Sequence, residues 1–595
     1  MHSRRALLGT GLLLGCCSMI FAQDRPKPAD WVIESDHNAQ ILLDLFSAFT
    51  PEQAGFFGAT GHDTEIMDLK PRLHERLQEA SRKALATLEA RTPQEKDPRV
   101  HQDLEILVQS TKDAILGEDL NYKYLLPYQD LPQAIFLGIQ SLLDDQVAAN
   151  RRGAALVRLQ RYTGSEAGFR PLTLLSEDQL KEALSNPKLL GPGKEEIEKH
   201  LSNSPRYLAG IHDLFQKYGI KEYEGPYQKL KDQVDAYDAF LRSTVLPRVR
   251  ADFRLPPELY AFRLSQVGVT IPPADLADRA HISFAEIQNE MKALAPLVAK
   301  EKGFQETDYR GVIRDLKKDQ LVGEAILPHY KKRLRDIEEI VRREKIVTLP
   351  VREARIRFSS EAEAASTPAP HLQVPRLIHN TGEEGEFVLP LKVPTTTPDG
   401  KTEVKGFDDF TFAAASWTLT VHEARPGHEL QFASIIEKGV SLTRALFAFN
   451  SVNVEGWALY CEAEMKPYMP LDGQLISLQH RLMRAARAFL DPELQTGKIQ
   501  PDDVVRVLTE DVGLSEPMAR QELERYMFNA PGQATSYFYG YTRWLSLRAR
   551  TEMALGRRFD RQHYHDFLLS QGLLPPDVLA QAVREQFIPE EQKKP

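Results

Sequence analysis

Cysteine is nearly absent: the 595 residues hold three, and two of them, Cys16 and Cys17, sit in the first apolar stretch. Once that stretch is removed only Cys461 remains, which excludes an internal disulfide framework and a cysteine-rich metal site. Positive charge is not in excess either. The formal net charge is -9, which argues against a general nucleic-acid binder. Beyond the N-terminal run no uncharged segment reaches membrane-spanning length, and no repeat of solenoid period is found. With 42% hydrophobic residues the chain can bury a large core.

The N-terminus reads as an export signal over residues 1–22. His2, Arg4 and Arg5 form its charged start, Ala6 to Leu14 its apolar run, and Ile20-Phe21-Ala22 its cleavage site. Two forms compete. Arg4-Arg5 followed by Ala6-Leu7-Leu8 resembles a twin-arginine signal, whereas Leu13-Leu14-Gly15-Cys16 resembles a lipobox, which would acylate Cys16 and tether the protein to a membrane.

The remainder predicts a mainly α protein. Apolar residues recur at three-to-four spacing in Lys70–Ala90, His101–Leu116, Leu131–Gln146, Tyr227–Leu246, Pro273–Lys300 and Tyr309–Val341, on charged backgrounds expected to be solvated faces. Connections are expected at 187–193 and 255–257. Residues 23–270 would form an N-terminal helical part and 271–595 a catalytic part, the two continuous. Short β-type runs at Val347–Pro350, Arg355–Phe358 and Gly385–Leu391 predict a small sheet ahead of the functional motif. Such a strand edge can hold an extended peptide by main-chain bonds, or merely cover the core. Helices are then expected at Asp408–Thr420, Arg444–Glu464, Leu471–Leu490, Pro501–Glu510, Glu516–Phe528 and Tyr537–Leu555.

The motif is Val421–Gln431, VHEARPGHELQ. A His-Glu pair followed by a second His places two imidazoles and a general base around one zinc ion. Histidines four apart share a helical face, but His422 and His428 are six apart. At ~100° per residue a regular helix would splay them by roughly 120°. Pro426 and Gly427 lie in that gap and are the residues that break helices, so the odd spacing and the breaker explain each other. Glu423 is the expected base. A third ligand must come from another element, and Glu455 in Asn453–Tyr460, NVEGWALY, is the best donor. Gly456 would let its helix pack closely on the histidine helix. Glu462, about 700° further on at ~100° per residue, keeps nearly the same face and is a candidate partner for a ligand imidazole.

Together HEARPGHELQ, EGWALYCE and PGQATSYFYG resemble the bacterial family termed domain of unknown function 885, itself similar to the helical gluzincin metallopeptidases, including the thimet-oligopeptidase-like and angiotensin-converting-enzyme-like groups. The resemblance implies one zinc ion per chain on His422, His428 and Glu455 with Glu423 as base, in a long helical fold with a deep central channel. Gly532–Tyr537 is similar to the segment from which related oligopeptidases bring tyrosines to the scissile carbonyl, making Tyr537 the first choice for oxyanion stabilisation and Tyr539 and Tyr541 the next. Where relatives often read D-T-G-L-H, this chain reads Asp491-Pro492-Glu493-Leu494-Gln495 and lacks the histidine.

The expectation is an exported zinc peptidase acting on short or unfolded peptides, as an oligopeptidase, dipeptidase or carboxypeptidase. Arg481, Arg484, Arg487 and Arg543 are candidates to meet a terminal carboxylate, against the alternative of salt-bridged helix residues. His480, His563 and His565 have no motif partners and are read as surface or packing residues. The alternatives are a zinc hydrolase of another amide or ester, and a silent peptide-binding envelope protein. Oligomeric state is left open.

Overall fold

Amphipathic helices supply almost all of the architecture. The computed structural model describes residues 28–391, 393–396, 402–405 and 408–594; the export signal and Cys16 lie outside them. Among the described residues the mainly α expectation holds, and no helix is long and apolar enough to cross a membrane.

Two large apolar cores divide the chain. One is built by residues between Leu69 and Val245, joined by Ala362 and Ala365; the other draws on residues between Tyr260 and Tyr539 and includes Leu475, Leu482 and Phe489. Between them runs an extended connection at 251–256, close to the expected one. A third core gathers Trp457, Tyr460, Trp544 and Tyr564 behind the motif.

The sheet is small. Strand β1 (Arg355–Phe358) runs parallel to β3 (Glu386–Leu389), and β2 (His371–Gln373) pairs with the other side of β3 in antiparallel register, Leu372 opposite Phe387. The order β1-β3-β2 leaves β2 at an edge. All four residues of β3 are buried, as befits the central strand. Strands β4 (Val393–Thr396) and β5 (Thr402–Lys405) form a separate antiparallel pair.

Several predicted elements are shorter than their hydrophobic pattern. The helix from Leu131 stops at Gln140, where the buried Arg158 takes Gly138 O at 2.6 Å and Ser141 Oγ at 3.1 Å. Tyr309–Val341 is two helices, Tyr309–Lys317 and Ile326–Arg343, because Gln320 and Leu321 bond across to 411–412. Val347–Pro350 is not a strand: Asp566 binds the Thr348 amide at 3.0 Å in a loop. The expected helix from Arg444 is interrupted at Asn450, whose side chain caps a new helix by accepting from Asn453 N at 2.8 Å.

Five helices frame the motif: the histidine helix (Ala415–Glu423), its continuation (His428–Lys438), the glutamate helix (Ser451–Met465), the arginine helix (Leu471–Gln495) and the tyrosine helix (Ser536–Leu555). Gly456 makes a close contact, though with the tyrosine helix and not with the histidine helix as the sequence suggested. A Cβ there would stand 2.7 Å from Gly540 Cα, and one on Gly540 would stand 2.3 Å from Val452 O. Gly540→Val should therefore force the two helices apart and cost about 1–3 kcal/mol. A lowered urea midpoint checks this; an unchanged one would show that the crossing tolerates a side chain.

Candidate metal centre

The histidine helix ends because its backbone leaves the α region at Ala424 (φ -102°, ψ -104°), and a new helix starts at His428 after Gly427 (φ -75°, ψ -130°). Gly427 N donates to Val421 O at 2.9 Å, folding the chain back on itself. Any Cβ at this position would lie 2.1 Å from His422 O, so only glycine fits. Arg425, inside the break, is buried between Glu429 Oε2 and Glu338 Oε1, each at 2.6 Å. Trp457 Nε1 donates to Pro426 O at 3.0 Å, fastening the break to the glutamate helix.

The reversal turns both imidazoles toward one carboxylate. His422 Nε2 lies 3.5 Å and His428 Nε2 3.3 Å from Glu455 Oε2, and the three donor atoms fall within 4.8 Å of one another. Among the described residues this is the group able to hold a metal ion. Hydrogen bonds of this type are usually 2.7–3.2 Å long. Glu455 Oε2 is buried and has no hydrogen-bond partner. Zinc bonds of about 2.0–2.1 Å in tetrahedral array set neighbouring donors roughly 3.3–3.4 Å apart, close to the separation of Glu455 Oε2 from each imidazole here. The donor set of two imidazoles and one carboxylate thus fits a zinc ion, and Glu423 Oε1 stands beside it, 4.0 Å from His422 Nε2.

Behind the ligands, Glu462 is wholly buried and takes His422 Nδ1 at 2.7 Å and Thr418 Oγ1 at 2.6 Å. A proton held on Nδ1 leaves the Nε2 lone pair facing the cluster. Burial alone would raise the Glu462 carboxyl, but the Arg484 charge and the His422 bond prevail and bring it to about 2. This is the position that helical spacing gave it.

Residues 51–583 match the family described as "Bacterial protein of unknown function (DUF885)". The chain belongs to this family. No curated protein matches it. Among solved structures, a "putative lipoprotein" from Colwellia psychrerythraea aligns with TM-score 0.71 at 17% identity, over 94% of this chain and 99% of that one. A second, "a putative lipoprotein of unknown function" from Shewanella oneidensis, aligns with TM-score 0.68 at 16% identity, over 94% of this chain and 100% of its own. These likenesses establish a shared fold.

In this DUF885 protein Tyr537 stacks on His422, ring centroids 6.2 Å apart and planes 14° from parallel. Its Oη accepts from Arg525 Nη2 at 3.1 Å, which leaves the phenolic hydrogen free to donate elsewhere. Gly540 marks the line of contact with the glutamate helix, so Tyr537 and Tyr541 project on one flank of it and Tyr539 and Arg543 on the other. Tyr539 bonds Thr270 Oγ1 at 2.9 Å and Arg543 pairs with Asp577; neither is brought to His422. Tyr541 lies under Arg481, 5.2 Å from ring centroid to guanidinium carbon.

Five other polar residues named from the sequence, His480, His565, Asp491, Gln495 and Arg487, are buried. His480 is buried with Nδ1 unpartnered, and burial together with Arg484 lowers its pKa to about 3. His565 is a packing residue between Tyr460 Oη and Ile346 O, both at 2.7 Å. Asp491 accepts from Tyr260 Oη at 2.8 Å and from Gly532 N, holding the turn before Tyr537. Gln495, where relatives often carry histidine, serves the backbone: it bonds Tyr526 O at 2.7 Å and Leu255 N at 3.0 Å. Arg487 forms two bonds to Glu522, at 2.7 and 2.6 Å, with both residues buried.

For Glu522 burial opposes ionisation, and the charges of Arg487 and Arg525 overcome it, lowering the pKa from 4.5 to about 2. A depressed carboxylate stabilises the fold above its unfolded value and loses that contribution as pH falls from about 4.5 toward 2. Glu522→Gln leaves Arg487 buried and unpaired, so it should cost about 3–5 kcal/mol at pH 7. Urea midpoints should differ most at neutral pH and converge with wild type as pH drops through that window. A gap independent of pH would mean that the carboxylate charge is not what stabilises this contact.

Proposed function

We propose that this DUF885 protein is a zinc-dependent peptidase of the cell envelope that cleaves short or unfolded peptides. One observation carries the reading: the buried, unpartnered Glu455 Oε2 stands 3.3 and 3.5 Å from the Nε2 atoms of His428 and His422, at the spacing of donors around a shared ion. The resemblance of HEARPGH and EGW to gluzincin peptidases supports it. So does the edge strand β2, which begins at His371, an imidazole within electrostatic reach of Glu423. Export is supported by the signal-like residues 1–22, and acylation of Cys16 would leave the protein on a membrane, in keeping with the lipoprotein descriptions of its structural relatives.

His422, His428 and Glu455 would hold the zinc, whose chemistry there is to polarise a carbonyl and lower the pKa of water. Glu423 accepts the proton of the attacking water as its oxygen bonds to the carbonyl carbon. The same residue delivers that proton to the leaving nitrogen as the C–N bond breaks. Tyr537 donates its free phenolic hydrogen to the oxygen that gains charge. Glu462 keeps His422 oriented throughout.

Two measurements test this. Glu423→Gln should abolish cleavage of a mixed peptide library while retaining about one zinc per chain, whereas His428→Ala should lose most of its zinc. Wild-type protein that binds zinc but cleaves no peptide would favour a silent scaffold or another amide or ester substrate; one that binds no zinc would sink the proposal. Tyr537→Phe should reduce kcat about 100-fold or more with little change in KM. An unaltered kcat would return Tyr537 to packing.

A further inference from the structure

The surroundings of Tyr537 contain more positive charge than the protein neutralises. The guanidinium carbons of Arg487, Arg525 and Arg484 lie 4.5, 5.2 and 5.7 Å from its ring centroid. Two carboxylates pair with them, and a third, Asp491, is within electrostatic reach of Arg525 but is bonded to Tyr260 Oη and Gly532 N. Glu522 is committed to Arg487 by two short bonds and reaches Arg525 at 3.6 Å. Glu462 is committed to His422 and Thr418 and reaches Arg484 at 3.7 Å, beyond a hydrogen bond. Arg484 is 5% exposed, and its bond to His480 O is a long 3.4 Å. Arg484 Nε and Arg487 Nη1 are buried with no hydrogen-bond partner. Buried cations left in this state are costly, and a bound carboxylate would relieve that cost through charge-assisted bonds.

Arg525 is the member of the trio open to solvent, with 22% of its side chain exposed. The Tyr537 ring links it to the metal centre: the ring lies 6.2 Å from the His422 ring and 5.2 Å from the Arg525 guanidinium carbon. Those two distances put Arg525 no more than about 11 Å from the His422 ring, and an extended peptide, advancing about 3.3–3.6 Å per residue, crosses that gap with about three residues or fewer.

We infer that Arg525, backed by Arg484 and Arg487, receives the C-terminal carboxylate of the peptide, so that the protein removes no more than about three residues from a free C-terminus and does not cut internally. This specificity rests on the peptidase reading, but the carboxylate site itself is measurable without turnover. Of the other two arginines that the sequence offered for this role, Arg481 lies over the Tyr541 ring and Arg543 is paired with Asp577 on the opposite flank of the tyrosine helix.

The test is calorimetric titration of trialanine and trialanine amide into the zinc-supplied full chain carrying Glu423→Gln. The free acid should bind about 10- to 100-fold more tightly than the amide, the range of a charge-assisted bond. Adding Arg525→Gln should erase the difference, and Arg525→Lys, which keeps the charge beside Glu522 and Tyr537, should restore part of it. Equal affinity for acid and amide would overturn the inference. So would a preference that survives Arg525→Gln, since the carboxylate would then be held elsewhere, and so would binding of acetate or chloride without either peptide. Acid preference erased by Arg525→Gln, with no cleavage by the wild-type chain, would keep the carboxylate site and remove the peptidase.

Discussion

The carboxylate of Glu462 is the contact on which the centre depends. It is wholly buried, yet it binds the histidine helix twice, through His422 Nδ1 and Thr418 Oγ1, and faces Arg484 of the arginine helix. A buried carboxylate so placed has one arrangement that satisfies it. The registers of the histidine, glutamate and arginine helices are therefore coupled. Because Glu455 and Glu462 are seven residues apart on one helix, fixing Glu462 also fixes the face on which Glu455 meets the two imidazoles. The ligand geometry follows from a second carboxylate that never touches the ligand space.

The close approach at Gly427 supplies what Glu462 cannot. Six residues of regular helix would point His428 away from His422, and no partner on another helix corrects that angle. The chain corrects it locally, by leaving the α region at Ala424 and re-entering it at His428, with Gly427 pressed against the carbonyls of Val421 and His422. Trp457 then ties the break to the helix that carries Glu455. The break and the third ligand are held by one element, so neither can shift without the other.

Much of this was legible in the sequence because the motif carries its own contradiction: two histidines at a spacing no helix supports, separated by the residues that end helices. Glu462 was legible because seven residues return to one face. The arginine environment of Tyr537 was legible only in part: Arg484 and Arg487 were named as candidates and Arg525 was not. Arg525 comes from a segment, Arg525–Asn529, with no motif of its own, and only the turn held by Asp491 and Gly532 carries it to Tyr537. Hydrophobic periodicity also overran the ends of helices that stop for long-range reasons, as at Gln140, where Arg158 from another helix claims the carbonyl of Gly138. Gly456 was correctly singled out as a contact point, but a missing side chain does not say which helix approaches.

A signal for the arginine site does exist in the sequence. The arginine helix is buried on nearly every side, yet His480, Arg484, Arg487, Asp491 and Gln495 recur along it at intervals of three or four. A solvated face explains charged residues at that spacing on an exposed helix, and it cannot explain them on a buried one. Here four members of the stripe each meet a particular partner: Glu462 at Arg484, Glu522 at Arg487, the Gly532 turn at Asp491, the Tyr526 carbonyl at Gln495. Asp491, Arg487 and Arg484 thus organise in order the turn that positions Tyr537, the pair that braces it and the carboxylate that orients His422. One helix braces the candidate metal centre, through Glu462, and supplies two of the three arginines beside it, Arg484 and Arg487, so their spacing from the ligands is a property of helix packing.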